Sequence, residues 1–347
     1  MSPPMALIEK NRLHEIVSEF KGKSVLVVGD LILDKYVSIE ARKISREAPV
    51  PVGDLRGERL NLGGAGNLAN NIASLGGKAQ MLGFVGDDTE GAWIRKALSD
   101  KGVGTSGIET YNRPTSLKTR YMVNGVQFLR VDREVRSDTS GELSEKLLKH
   151  LDSFVRECDI VAFADYDKGT ITPYLIDCIV TSAKAAGRKT ISQPKVRHYL
   201  DYRGVDYIKS NEREASIATG ISVLNDTGLR NIATNLTTRL GCQAIILTRS
   251  ERGITVFEHN SMTTIPTIAT PSQFARPVGV RDAMSSVLAL AIAAGANSFE
   301  GAALSNLAAA LPGDRTGTIV LNAEEIFQNI GSAEKALSNV APVPVRR

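Results

Sequence analysis

The sequence predicts an α/β fold: a doubly wound, mostly parallel sheet flanked by helices, with a small β-flap lid. Three observations predict it. From residue 143 onward, short apolar or β-branched runs alternate with helical patterns, the rhythm of βα units. Near the N-terminus, "KSVLVVGD" is a β-branched run ending in Gly29-Asp30, which reads as a buried parallel strand. Residues 35–60 and 115–133 break the rhythm with charged, alternating segments, the first carrying Pro49 and Pro51, the second Asn124-Gly125. Asn-Gly is a type I′ hairpin signal, so these segments read as the exposed strands of a flap.

The elements follow in order. Leu13, Ile16, Val17 and Phe20 fall at helical spacing, which predicts a small amphipathic helix within residues 1–22, docked on the body. Glu9, Lys10 and Arg12 interrupt any signal-peptide core there. A main domain over 23–335 opens with "KSVLVVGD". A helix begins at about Asn67 in "NLGGAGNLANNIASLGG" and stops at Gly76-Gly77. "AQMLGFVGDD" is the next strand, and "TEGAWIRKALSDKGV" a helix turning Trp93, Ile94, Ala97 and Leu98 inward. Helix 143–156 leads to strand "DIVAFADY", and helix 173–186 to strands "RKTISQ" and "VDYIKSN". Helices 213–219 and 226–240, strand "CQAIILTRS" and hairpin "GITVFEHNSMTTIPT" come next. "ARPVGVRDAMSSVLALAIAAGA" is a buried helix with Gly279 and Asp282 at its mouth, and residues 336–347 form a tail. No repeat or linker divides the chain, so one domain with a flap is the simplest organisation.

Composition excludes several classes. The net charge is +4 and the basic residues are scattered, so no nucleic-acid partner is expected, only a weak pull toward anionic metabolites. Cys158, Cys178 and Cys242 lie far apart, which suits a reducing cytoplasm. His14, His150, His198 and His259 have no metal-ligand spacing. The longest apolar run is too short to cross a membrane.

Several motifs carry chemistry, each with a plainer alternative. Gly64-x-Gly66-x-x-Ala69, with Asp87 further on, matches a dinucleotide fingerprint, but charged "RGERLNL" precedes it instead of a buried strand, so a nicotinamide enzyme ranks low. Gly63-Gly64 is either a hinge between flap and core, with Asn67 offering an amide to a polar ligand, or a plain helix entry. Asp30, with Asp34 after it, stands at the carboxyl end of the first strand, where open α/β sheets bind ligands; a helix cap is the alternative. In "KSNERE", Lys209, Asn211 and Glu214 follow a strand. Asn and Glu three apart suit the outer shell of a phosphate-bound Mg²⁺ or, more simply, a capping pair. "TRSERG", Thr248 to Gly253, either lines a nucleotide or is a turn. At the mouth of the last helix, Gly279 and Asp282 suit an anion site, with Arg281 in what reads as a tight turn. No P-loop, nucleophile elbow, protein-kinase set or HExxH occurs.

The order of these pieces resembles the PfkB/ribokinase family of sugar kinases along nearly the whole chain. Within it, "VVGDLILDKY", "KISREAPVPV", "LGGAGNLANNIASLGG", "TSLKTRYMVNGVQFLRVD", "DYDKGTIT" and "NEREASIATG" are most similar to the heptose-7-phosphate kinases of lipopolysaccharide-core biosynthesis. Some of those carry a fused nucleotidyltransferase; this chain ends soon after the kinase fold, so that activity is expected to be absent. The resemblance implies ATP and Mg²⁺ as cofactors and a sugar phosphate bound under the flap. Asp282 would be general base on the anomeric hydroxyl, with the N–H groups of Gly279 to Asp282 receiving phosphoryl charge. Asp30, Asp34, Gly63, Gly64 and Asn67 match the sugar side. Lys195, Asn211, Glu214, Thr248, Ser250 and Gly253 match the nucleotide side, Asn211 and Glu214 reaching Mg²⁺ through water. Lys43, Lys118, Arg120 and Arg130 are candidates for a distal phosphate. Family analogy further implies a homodimer through paired flaps and admits a monovalent cation.

The chain departs from the family's D-x-T-G-A-G-D-T corner. Arg276 replaces the leading Asp, Arg281 the second Gly and Ala283 the last Thr, while "SQPKV" puts Gln193 and Val196 where D-P-K-G is expected. A non-Gly residue strained in such a turn costs about 1–3 kcal/mol, and misaligning an anion-hole donor costs about 10²–10³ in rate. Two readings follow: Arg281 supplies a guanidinium to the phosphate of a live kinase, or the chain binds sugar phosphate or a protein partner with little transfer.

Overall fold

The computed structural model describes residues 10–223, 225–259, 261–268, 278–312, 317–337 and 343–344. The expected first helix is α1 (Lys10–Ser18), and Leu13, Ile16, Val17 and Phe20 are all buried. In β1 (Ser24–Gly29), Val25 and Val27 enter one hydrophobic core while Leu26 and Val28 enter another. A strand with apolar side chains on both faces belongs in the middle of a covered sheet. Next come β2 (Leu31–Ile44) and β3 (Pro51–Gly64), then α2 (Ala65–Ser74), which starts two residues before Asn67. β4 (Lys78–Gly86), α3 (Thr89–Asp100), β5 (Gly104–Tyr111), β6 (Ser116–Val123) and β7 (Val126–Arg133) follow. The β6–β7 turn has φ of 49° at Asn124 and 84° at Gly125. Two consecutive positive φ values are the type I′ geometry that Asn-Gly predicts.

The second half runs α4 (Gly141–Glu157), β8 (Ile160–Ala164), α5 (Pro173–Ala185), β9 (Lys189–Gln193), β10 (Tyr207–Asn211), α6 (Glu212–Thr219), α7 (Asp226–Leu240) and β11 (Ala244–Thr248). It closes with β12 (Ile254–Glu258), β13 (Ser261–Ile265), α8 (Val280–Ala293), α9 (Ser298–Ala310), α10 (Ala323–Leu337) and β14 (Val343–Pro344). The tail expected after residue 335 therefore contributes a strand, β14, antiparallel to β13.

The main sheet has the order β14-β13-β12-β11-β10-β9-β8-β1-β4-β5 and is parallel from β11 to β5. α1, α2, α3, α8, α9 and α10 share one core, and α4, α5, α6 and α7 the other. The flap is a separate sheet of order β3-β2-β6-β7. From β1 the chain goes to β4 and β5 on one side and later returns to β8 on the other. The β1–β8 junction is thus a topological switch point, and its carboxyl edge is where such sheets bind ligands. Asp30 follows β1 there and Asp165-Tyr166 follows β8. No described helix is long and apolar enough to cross a membrane.

Candidate active site

The buried helix α8 points its N-terminus at this edge. Gly279 precedes it with φ of 86°. A Cβ there would lie 2.6 Å from Asn67 Nδ2, so the position needs glycine both for its backbone and for room. Asp282, in the first turn, is buried. Asn67 Nδ2 donates to its Oδ2 at 2.8 Å, and the Tyr166 hydroxyl donates to its Oδ1. Burial raises the Asp282 pKa, while the bonds from Tyr166 and Asn67 and the charges of Lys209 and Arg281 pull it back. A buried carboxylate with a raised pKa at a helix N-terminus can take a proton from a hydroxyl.

Two expectations about this corner change. Arg281 lies inside the first turn of α8 and is not among the described non-glycine residues with positive φ. The left-handed residue is Gly279, so Arg281 carries no backbone strain. The anion hole was expected to include the Asp282 N–H. That group and the Ala283 N–H both donate to the Gly279 carbonyl at 3.0 Å. The N–H groups of Gly279, Val280 and Arg281 are the ones left to meet an anion.

Arg281 turns toward Glu214, one of the residues expected to face a nucleotide. Its Nη1 and Nη2 donate to Glu214 Oε1 at 3.1 Å and Oε2 at 2.7 Å, and Lys195 Nζ donates to the same Oε1 at 3.0 Å. Burial works to raise the Glu214 pKa, but these two cations outweigh it and hold it low. Asn211 and Glu214 also form the full capping box of α6, the plainer of the two alternatives for this pair. Behind them Lys209, which the motif analysis noted without assigning a role, is buried, and burial with the nearby Arg281 pushes its pKa down to about 7. Thr248 lies beside Asn211 in the β10–β11 ladder. Ser250 and Gly253 form a turn in which the Gly253 N–H donates to the Ser250 carbonyl at 3.2 Å. Arg249 and Arg252 tie that turn to Glu212 at 2.6 and 2.8 Å. Arg276 lies outside the described residues.

On the sugar side, Asp30 is not placed as the sugar contact expected of it. Its carboxylate is 1% exposed and accepts the backbone N–H groups of Tyr166 (2.8 Å), Lys168 (3.1 Å) and Thr170 (3.0 Å). It clamps the "DYDKGT" loop, and so holds Tyr166 against Asp282. Asp34 is buried under the flap and bonded by Arg120 Nη1 at 2.5 Å. Burial raises its pKa and Arg120 opposes this. A Cβ on Gly63 would lie 2.6 Å from Asp34 Oδ2, and one on Gly64 (φ 56°) would lie 2.5 Å from the Asp30 carbonyl. The two glycines thus let the flap hinge pass close to both carboxylate-bearing segments.

The cations suggested for a distal phosphate are mostly occupied. Lys118 pairs with Asp132 at 2.8 Å and Glu134 at 2.9 Å, Arg130 with Asp132 at 3.0 Å, and Arg120 with Asp34. Lys43 is exposed far out on β2. Arg59 was not singled out from the sequence. It stacks over Tyr36 at 5.1 Å, opposite Arg120 at 5.3 Å, and pairs with no described carboxylate. Tyr166 was also missed as a site residue. Its signal was an aromatic directly after the Asp that ends a buried strand. Tyr166, Asp282, Gln193 and Ser285 line a small cavity where the carboxyl ends of β8 and β9 meet α8. Among the described residues no three His, Cys, Asp or Glu side chains converge as a metal-binding set.

Known proteins share this fold. A family model described as pfkB family carbohydrate kinase matches residues 23–325. The bifunctional protein HldE of Citrifermentans bemidjiense is 33% identical over 330 residues, covering 94% of this chain and 67% of that protein. That of Caulobacter vibrioides is 38% identical over 324 residues, covering 93% and 66%. The chain therefore spans about two thirds of the length of these relatives. Among solved structures, Arabidopsis thaliana ribokinase complexed with ribose and ATP superposes with a TM-score of 0.69 at 18% identity, covering 89% of this chain and 99% of that one. Escherichia coli phosphofructokinase-2 in complex with potassium gives 0.70 at 16%, covering 92% and 100%. At those identities the two establish a common fold.

Proposed function

The chain belongs to the pfkB family of carbohydrate kinases, and from that premise we propose that it transfers the γ-phosphoryl group of ATP to the anomeric hydroxyl of a sugar phosphate, heptose 7-phosphate giving heptose 1,7-bisphosphate. The observation that carries this reading is Asp282, buried in the first turn of α8 and held by Asn67 from the flap hinge and Tyr166 from the β8 loop. Its carboxylate takes the proton of the attacking hydroxyl. The N–H groups of Gly279, Val280 and Arg281, the α8 dipole and the Arg281 guanidinium meet the charge that develops on the phosphoryl oxygens.

The charge balance suits a polyphosphate. Lys195 and Arg281 pair with Glu214, and Lys209 and Asp282 lie beside them. ATP phosphates would lie against them, beyond the ends of β9, β10 and β11, with the Thr248–Gly253 turn alongside. Mg²⁺ on those phosphates would neutralise charge, with Asn211 and Glu214 facing its water shell. Potassium in the Escherichia coli structure motivates an assay for monovalent-cation activation.

The sugar would lie under the flap, near Asp34, Asn67 and the Tyr36 ring. Its distal phosphate would compete with Asp34, Asp132 and Glu134 for Arg120, Arg130 and Lys118, and Arg59 joins that set as a cation already unpaired among the described residues. The flap exposes Ile44, Leu55, Val126, Phe128, Leu129 and Val131, which supports a homodimer formed through paired flaps. The unpaired cysteines fit a reducing cytoplasm.

One observation favours a second reading. The Arg281 fork occupies Glu214, the carboxylate expected to order the metal, as it would in a sugar-phosphate binder that transfers little. ADP release over a panel of sugar phosphates decides between them. Turnover that depends on a heptose phosphate and disappears in Asp282→Asn supports the kinase. Equally flat traces from folded wild type and variant end it.

A further inference from the structure

We propose that Asn71 is a positioning residue for the base: it fixes which end of the Asn67 amide meets Asp282. The inference rests on the reading above that Asp282 is the base. Asn71 lies one turn after Asn67 on α2 and is 0% exposed. Its Oδ1 accepts from the Leu321 N–H at 3.0 Å. Its Nδ2 donates to the Ile319 carbonyl at 3.1 Å, the Asn67 carbonyl at 3.0 Å and Asn67 Oδ1 at 3.3 Å. Two N–H bonds serve three acceptors, so one proton is shared.

The oxygen and nitrogen of a side-chain amide have nearly the same shape, so its hydrogen-bond partners decide which way it points. Main-chain partners are unambiguous. The Leu321 N–H can only donate, and the Ile319 and Asn67 carbonyls can only accept. Asn71 therefore has one acceptable orientation. Turned over, its oxygen would face carbonyls and its nitrogen an N–H. That orientation passes to Asn67. With the Asn71 nitrogen on Asn67 Oδ1, the Asn67 nitrogen is left for Asp282 Oδ2, at 2.8 Å. A carboxylate only accepts, so the reversed amide would set oxygen against oxygen in a buried site.

The segment that orients Asn71 also leads to the mouth of α8. The Ile319 N–H donates to the Val278 carbonyl at 2.8 Å, and Thr318 pairs with Val278. Gly279 follows and opens α8. Asn71 thus joins the amide at the base to the backbone that enters the helix. Substituting it disturbs both, and only the first effect runs through Asn67.

A double-mutant cycle separates the two effects. Asn71→Ala, the milder Asn71→Ser, Asn67→Ala and the paired variants are assayed for kcat with magnesium-ATP and heptose 7-phosphate. Each Asn71 variant is expected to lower kcat about tenfold, the scale of one hydrogen bond, with KM for ATP unchanged. In the Asn67→Ala background the same substitution is expected to cost nothing further. An equal loss in both backgrounds overturns the proposal, and so does failure of both single Asn71 variants to fold. Hydrogen exchange of the Asn67 side-chain amide reads the lock without turnover. It is followed by ¹⁵N NMR and assigned by loss of the signal in Asn67→Ala. Exchange is expected to be slow in wild type and about tenfold faster in the Asn71 variants, as a local opening would make it. The buried amide of Asn306 on α9, which donates to the Pro266 carbonyl, is expected to stay unchanged. Fast exchange at Asn67 in wild type, or the same rate in the Asn71 variants, overturns the proposal. Wild type without turnover but with this change at Asn67 sinks the kinase reading and leaves Asn71 as the residue that orients Asn67.

Discussion

Arg281 closes a two-bond fork on Glu214, 67 residues earlier in the chain, with Nη–Oε distances of 3.1 and 2.7 Å. The arginine stands where the family pattern has glycine, yet it sits on unstrained helical backbone. Replacing it by glycine therefore relieves nothing and removes a cation from the phosphate side. We expect Arg281→Gly to lower kcat by about 10²-fold, the scale of losing one group that stabilises the transferring charge. Arg281→Lys should recover only part, since lysine cannot form the fork. A rise in kcat for the glycine variant would identify the arginine as an obstruction and favour the binding-only reading.

Tyr166 gives a prediction about pH. Its hydroxyl stays protonated, because burial and the charge of Asp282 both push its pKa well above the usual value. Donation to Asp282 lowers the carboxyl pKa that burial has raised. Tyr166→Phe removes the donor, so the acid limb of the kcat/KM profile should move to higher pH. The same limb position in both proteins would mean that Tyr166 does not set the protonation of the base.

Glu134 links the flap to the "DYDKGT" loop. It accepts from Lys118 at 2.9 Å, Lys168 at 3.0 Å and Arg136 at 2.8 Å. Burial works to raise its pKa, but these cations lower it from 4.5 to about 2. A carboxyl depressed by folding contributes its full stability above its unfolded pKa and loses it as pH falls through the folded one. Glu134→Gln should thus lower Tm at pH 7, and the gap to wild type should narrow between pH 4.5 and 2. A gap independent of pH would place the effect in packing, not charge.

Phe128 is 63% exposed on the flap strand β7, beside Val126 at 70% and Leu129 at 50%. If paired flaps bury this surface, Phe128→Asp should shift the protein from dimer to monomer in sedimentation velocity. A monomeric wild type would remove the flap dimer from the proposal.

Local chemistry made much of the fold legible. The β-branched run of β1, the Asn124-Gly125 turn and the α/β alternation each report a short-range cause. The strand β5, "GTSGIETY", escaped because its glycines and threonines dilute the alternation. β14 escaped because a two-residue pairing at the end of the chain leaves no pattern. At the candidate site, Asp282 and Asn67 were singled out through motif order. The partners that set their chemistry were not, because those contacts span the sequence. Tyr166 reaches Asp282 across 116 residues, Lys209 reaches Ser285 across 76, and the backbone that occupies Asp30 lies 136 to 140 residues away. Arg281 read as strain in a tight turn, whereas the left-handed position is Gly279, two residues earlier.

The most direct measurement is the position of the new phosphate. Wild type and Asp282→Asn are each incubated with magnesium-ATP and heptose 7-phosphate, and the products are followed by ³¹P NMR. Wild type should give ADP and a second phosphorus resonance coupled to the anomeric proton, with the variant slower by about 10²–10⁴, the contribution expected of a general base. ADP without an anomeric phosphate, or equal rates in the two proteins, would contradict the assignment of Asp282 as the base of an anomeric sugar kinase.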